Sequence, residues 1–192
     1  FQTANIIIAH YFVPSQVTPY NIANRYFNMI NMIFAIIMIP FWSAFTDAYA
    51  KNDFDWIKKT VRKLIKIWFL MLLLAILMLI FSDLFFKIWL KGKIEIPFIL
   101  SLLLALQFIL FTFGGVFNMF INGVGKIKLQ LISLTIGAVI FFPLSHVFIK
   151  IFHLGIEGLV LATIISNFYL PILAPLQYYK IINNTAKGVW NK

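Results

Sequence analysis

The chain of 192 residues contains no cysteine, which excludes disulfides and thiolate metal sites. It is almost as poor in charge. Asp, Glu, Lys and Arg together make up 11% of it, against about 25% in an ordinary soluble domain. Too little polar surface is left to cover a globule in water. Acid is the scarcer sign: six Asp and Glu stand against sixteen Lys and Arg, for a net charge of +10. The acids fall in connecting segments or at the ends of apolar runs, so no carboxylate pair is placed for general acid–base work. His10, His146 and His153 are scattered, with no acidic residue at ligand spacing, and give no metal site. There is no Ser/His/Asp arrangement and no Gly-rich phosphate loop. The sequence predicts no catalytic residue, no cofactor and no ATP-driven motor.

What is abundant is apolar. The chain is 62% hydrophobic and 18% aromatic, with a mean hydropathy of +0.94. Charge-free runs cover residues 26–46, 67–82, 96–125, 129–149 and 158–179. A spanning helix needs roughly 20 apolar residues. These runs predict an all-α, polytopic transmembrane bundle with spans at about 21–46, 64–86, 96–122, 129–149 and 157–179. Residues 1–12, FQTANIIIAHYF, are apolar but too short to span. They are expected to be the end of a sixth helix, and the chain part of a longer protein. With no basic n-region and no small-residue cleavage site, they do not resemble a signal peptide.

The connecting segments are short and their cations alternate. Lys51, Lys58, Lys59, Arg62, Lys63, Lys66, Lys126, Lys128, Lys180, Lys187 and Lys192 fall on one side; Arg25, Lys87, Lys91, Lys93 and Lys150 fall on the other. The richer side is predicted to be cytoplasmic, which puts the tail 180–192 there. The positive charge then speaks for anionic phospholipid rather than nucleic acid. The connector 47–66 reads as an amphipathic helix. Phe54, Ile57, Val61, Leu64, Ile65 and Trp68 recur at three- and four-residue spacing, opposite Lys58, Lys59, Arg62 and Lys63. It is expected to lie at the inner interface with that basic face on lipid headgroups, capped by Asn52 or Asp53, with Asp55 paired to Lys59. An ordinary positive-inside loop is the plainer alternative.

Polar residues inside spans are the candidates for function, because each needs a partner or water. Asn21, Asn24, Asn28 and Asn31 are spaced 3, 4 and 3, and Arg25 falls among them. The stripe is expected to line an aqueous cavity, with Arg25 able to hold a phosphate in a bidentate way. Otherwise the amides bond neighbouring helices and Arg25 snorkels outward. Gln107, Phe111, Gly114, Asn118 and Asn122 repeat the pattern more weakly in a later span. Gly114–Gly115 there invites a kink or a close helix contact. Gly158, Ala162 and Ser166 form a small-residue face in the last span. Pro40, Pro143, Pro171 and Pro175 mark expected bends.

Several stretches, in order along the chain, carry a resemblance. YFVPSQVTPYNIANRYF, IPFWSAFTDAYAKNDFDWIKK, FINGVGKIKLQ and LGIEGLVLATIIS are similar to the C-terminal lobe of bacterial polysaccharide flippases. Those belong to the multidrug/oligosaccharidyl-lipid/polysaccharide superfamily, which also holds the MATE exporters. The resemblance implies a parent of two six-helix lobes around a central cavity, with this chain as the second lobe and the N-terminal lobe as its partner in an otherwise monomeric protein. It implies translocation of undecaprenyl-pyrophosphate-linked oligosaccharide by alternating access, with Arg25 at a position commonly basic in such flippases. The resemblance carries the substrate-binding role to Arg25 alone and implies a place in the bacterial inner membrane; the helical spacing of the polar residues adds Asn21, Asn24, Asn28, Asn31, Gln107, Asn118 and Asn122 to the expected substrate-binding set. The alternatives are an ion-coupled MATE-type exporter, which favours an intramembrane carboxylate, and a membrane glycan polymerase, which needs a larger outer loop. A purely structural subunit leaves the one-sided stripe unexplained.

Overall fold

The computed structural model describes Phe12 and residues 14–192, the side chains of residues 14–16 excepted. The described chain is helical, without strands. Helix α1 (Pro14–Met38) leads into α2 (Phe41–Ala50), α3 (Phe54–Ile80), α4 (Ser82–Trp89), α5 (Phe98–Gly123) and α6 (Lys128–His146). A π-helical turn (Val147–Ile151) extends α6. Helix α7 (Gly155–Ser166), a second π turn (Tyr169–Leu173) and α8 (Ala174–Ile182) form one further run, and a 3-10 turn (Gly188–Asn191) ends the chain. Helices α3 and α5, the run Lys128–Ile151 and the run Gly155–Ile182 are each long and apolar enough to cross a bilayer. Helices α1 and α2, bent by 42° at their junction, meet the same standard as a pair. The partial span expected over residues 1–12 lies, but for Phe12, outside the described residues.

Helix α5 is the hub. It comes from the longest charge-free run, packs against α1, α2, α3, α7, α8 and the second π turn, and is buried on nearly every side. One buried cluster joins Phe45, Ile57, Val61, Leu64 and Phe120 at the basic end; another joins Phe27, Ile30, Leu100, Leu104 and Phe108 towards the opposite end. Helix α6 has the reverse character of a soluble helix. Its buried positions are the small Ser133, Gly137 and Ser145, while Leu131, Ile136 and Val139 face outward. With Ile36, Leu70, Leu73, Ile80 and Phe98 also exposed, the apolar outer surface suits a bilayer, where small residues make the helix contacts.

Local chemistry explains the bends. Pro40 is the N-cap of α2, as expected of a residue that cannot continue the preceding ladder. Pro171 lies within the second π turn, whose wider winding relieves the clash between the pyrrolidine ring and the carbonyl one turn back. Two glycines of the Asn-Gly-Val-Gly-Lys turn do different work. Gly125 takes φ +72° just past the C-cap of α5, and Lys126 N–H closes the turn on the Ile121 carbonyl at 3.2 Å. A Cβ at Gly123 would come within 3.0 Å of the Trp42 carbonyl oxygen. That close approach lets Thr46 Oγ1 donate to the Gly123 carbonyl at 2.7 Å.

Four expectations are corrected. The stretch between the partial span expected at 1–12 and the span expected at 21–46 is not a connector but helical from Pro14; a proline opening a helix loses no intrahelical bond. The basic connector is no separate interfacial helix. It forms the first turns of α3, and Ile57, Val61 and Leu64 are buried against Phe45 and Phe120 rather than presented to lipid. Asp53 does cap it, accepting from Trp56 N–H at 3.0 Å, while Asn52 takes the left-handed φ of +56° that ends α2. Asp55 and Lys59 do not pair. The ion pairs among the described residues are Lys51–Asp47 and Lys87–Asp83, each 2.7 Å and exposed, and pairs of that kind add little stability. The span read at 64–86 breaks at Phe81, whereas the one read at 157–179 is present as the run Gly155–Ile182, with a change of winding at Asn167–Phe168.

The basic end is closed by a buried amide. Gln177 is 0% exposed. Its Oε1 accepts from the Tyr169 hydroxyl at 3.2 Å, and its Nε2 donates to the carbonyls of Lys126 (2.8 Å) and Trp190 (3.2 Å). Lys128 N–H donates to the Lys192 carbonyl at 2.9 Å, and the Lys180 ammonium sits 4.1 Å from the Trp190 ring centroid. Gln177→Leu removes all three side-chain bonds and strands two part-buried carbonyls. Thermal unfolding of the full-length protein in detergent is expected to show a loss of about 2 kcal/mol or more; an unchanged melting temperature would mean that the tail is not held this way.

Candidate functional site

The polar residues of the spans divide into two groups. The first surrounds a cavity of about 370 Å³ lined by α1 (Tyr20), α5 (Gln107, Phe111), α6 (Leu134, Gly137, Ala138, Phe141, Phe142) and α7 with the residue that follows it (Thr163, Ser166, Asn167). Two close backbone approaches hold the last span against its neighbours beside the cavity. A Cβ at Gly137 would fall 2.1 Å from the Ser166 carbonyl oxygen, and one at Gly114 would fall 2.0 Å from the Leu170 carbonyl oxygen. The broken last span is therefore held between α5 and α6 where its winding changes, and its polar residues are turned into the gap.

Gln107 is 4% exposed, lines the cavity and makes no hydrogen bond among the described residues. Ser166 Oγ is buried and also without a partner. Thr163 Oγ1 donates to the Leu159 carbonyl at 2.9 Å, and Asn167 Nδ2 donates to the Thr163 carbonyl at 2.9 Å. Their oxygens are left to accept. No charged side chain lines the cavity among the described residues.

The second group is the α1 stripe. Asn24, Asn28 and Asn31 are half-buried, and Asn21 and Arg25 are exposed. Asn31 Nδ2 approaches Asn28 Oδ1 at 3.5 Å, and Asn24 Oδ1 is buried without a partner. At 3.6 residues per turn, Asn24 and Asn31 fall within about 40° of Tyr20, on the cavity side of α1, whereas Arg25 is about 140° round from Tyr20. The stripe thus runs along the flank of the cavity, and Arg25 points elsewhere. Asn118 and Asn122 on α5 are half-buried, with Asn118 Oδ1 unpartnered. Neither lines the cavity, and of the expected set only Gln107 does. On α3, Lys59, Arg62 and Lys63 are exposed and Lys58 is half-buried. Among the described residues no three His, Asp or Glu side chains gather as a metal-ligating group.

Thr163 and Asn167 escaped sequence reasoning. Their signal was present: Thr163, Ser166 and Asn167 recur at helical spacing just ahead of Pro171. Only Ser166 enters the sequence reading, in the small-residue face with Gly158 and Ala162, because nothing in one helix says what stands opposite.

Apolar helices long enough to cross a bilayer, packed through small residues and holding amides and hydroxyls in their interior, define a polytopic helical membrane protein. Residues 1–147 match the MatE family, and the chain belongs to it. The chain is also 26% identical over 174 residues to the "Putative O-antigen export protein" of Yersinia pseudotuberculosis. That match covers 89% of this chain and 39% of the relative, so the chain spans well under half the length of the curated protein it matches. No solved structure matches it.

Proposed function

We propose that the chain is the C-terminal lobe of a flippase that carries undecaprenyl-pyrophosphate-linked oligosaccharide from the inner to the outer leaflet for surface polysaccharide synthesis. The observation that carries this reading is the chemistry of the cavity. It is walled by amides, hydroxyls and aromatic rings, with no carboxylate among the described residues. An exporter of cationic compounds needs a buried negative charge to offset desolvation of its cargo. A glycan carrier needs neutral groups that both donate and accept. Likeness to a protein named for O-antigen export points the same way.

In this reading the basic end is cytoplasmic. The exposed Lys59, Arg62 and Lys63, with Lys58 beside them, meet anionic phospholipid headgroups. Arg25, exposed on this lobe, faces the N-terminal lobe across the central cavity and holds the pyrophosphate. The Asn stripe lines the wetted wall. Two results test this account. Full-length protein in proteoliposomes is expected to translocate the glycan-bearing lipid and not a cationic dye; dye transport without lipid translocation would replace the flippase with an exporter. Cysteines at Asn24, Asn28 and Asn31 are expected to react with a membrane-impermeant thiol reagent, while one at Leu73, exposed on the apolar outer face of α3, stays unlabelled. Labelling of Leu73→Cys alone would remove the stripe from the cavity.

A further inference from the structure

We infer that the cavity among α1, α5, α6 and α7 is a subsite for a neutral sugar ring of the transported glycan, distinct from the site of its pyrophosphate. The inference rests on the flippase reading above and adds a division of labour to it. Its volume of about 370 Å³ falls in the range of small-molecule sites, about 300–1,000 Å³. Gln107 is the tenth residue of α5, about 14 Å along the helix from its first residue. A polar group at that depth costs several kcal/mol unless it is bonded. Yet Ser166 Oγ is buried at the wall without a partner, the Gln107 side chain lining the same space makes no hydrogen bond among the described residues, and Thr163 and Asn167 keep accepting oxygens beside them. Four such groups converging on one space call for an occupant that supplies both donors and acceptors, as sugar hydroxyls do.

The remaining wall completes the match. Phe111, Phe141 and Phe142 offer apolar ring faces of the kind that cover the C–H face of a pyranose. Among the described residues no charged side chain lines the wall, and this sets the class of sugar. A phosphate or a uronic acid would be buried without a cation, and an amino sugar with a free ammonium would be buried without an anion; both are costly. The pyrophosphate therefore lies elsewhere, in keeping with Arg25 about 140° away from Tyr20 around α1.

Binding to purified full-length protein tests this, with two probes: undecaprenyl pyrophosphate bearing a neutral repeat unit, and undecaprenyl pyrophosphate bearing no sugar. The wild type is expected to bind the glycan-bearing lipid more tightly. Gln107→Leu is expected to weaken that lipid about five- to tenfold and leave the bare lipid unchanged. Ala138→Phe, which fills the space from α6 without removing a hydrogen-bonding group, is expected to do the same, and melting curves show that both variants fold. If both variants weaken the two lipids equally, or neither, or if the wild type binds both lipids alike, the cavity takes no sugar and the flippase reading stands. If the wild type binds neither lipid, the flippase reading fails and this subsite falls with it.

Discussion

Replacing Gly114 by alanine is expected to destroy the fold of this lobe. The added Cβ would lie 2.0 Å from the Leu170 carbonyl oxygen and 2.2 Å from its carbon. These are backbone atoms of the second π turn, so no side-chain rotation relieves the overlap. The turn is also pinned by Tyr169, 1% exposed and bonded to the buried Gln177. Either α5 or the last span must move, at a cost of about 3 kcal/mol or more. Gly115→Ala is the internal control. Its Cβ would meet the Phe34 ring at 2.9 Å, a side chain that turns aside for about 1–2 kcal/mol. Melting of the full-length protein in detergent checks both. A Gly114→Ala protein as stable as the Gly115→Ala protein would show that the last span does not pass where the structure has it.

The second large effect is functional. Arg25→Ala in the full-length protein is expected to abolish surface glycan in a strain that depends on it, with folding intact because the side chain is exposed. In proteoliposomes the rate of lipid-linked oligosaccharide translocation is expected to drop about 10- to 100-fold, the equivalent of one or two charge-assisted hydrogen bonds. Arg25→Lys keeps the charge and loses the planar fork, so partial activity is expected. Full activity of Arg25→Ala at normal expression would remove the pyrophosphate from this residue.

Much of the fold was legible in the sequence. Charge-free runs located the spans, because a bilayer demands about 20 apolar residues whatever their neighbours. Pro40 located the α1–α2 bend and Asp53 the start of α3, because caps and prolines act through their own backbone. Gly114–Gly115 signalled a close helix contact. What escaped depended on other helices. Ile57, Val61 and Leu64 have the spacing of a lipid-facing stripe, and only Phe45 and Phe120, brought in by α2 and α5, make them core. Arg25 falls into the Asn spacing on paper, but its angle around α1 separates it from the cavity. Gly137 gave no signal, since its role is set by the Ser166 carbonyl on a different helix. The site was legible at Gln107 and hidden at Thr163 and Asn167, beside a small-residue face whose spacing pointed to packing alone.

The most direct test of the central claim is made on the lipids of a strain lacking the gene for the full-length protein. Membranes would be extracted, and undecaprenyl-pyrophosphate-linked oligosaccharide quantified together with its accessibility to a probe confined to the periplasm. The flippase account predicts a build-up of complete repeat units shielded on the cytoplasmic side. Normal amounts of lipid-linked glycan, open to the periplasmic probe, together with new sensitivity to cationic dyes, would contradict it and make the protein an exporter of small cations.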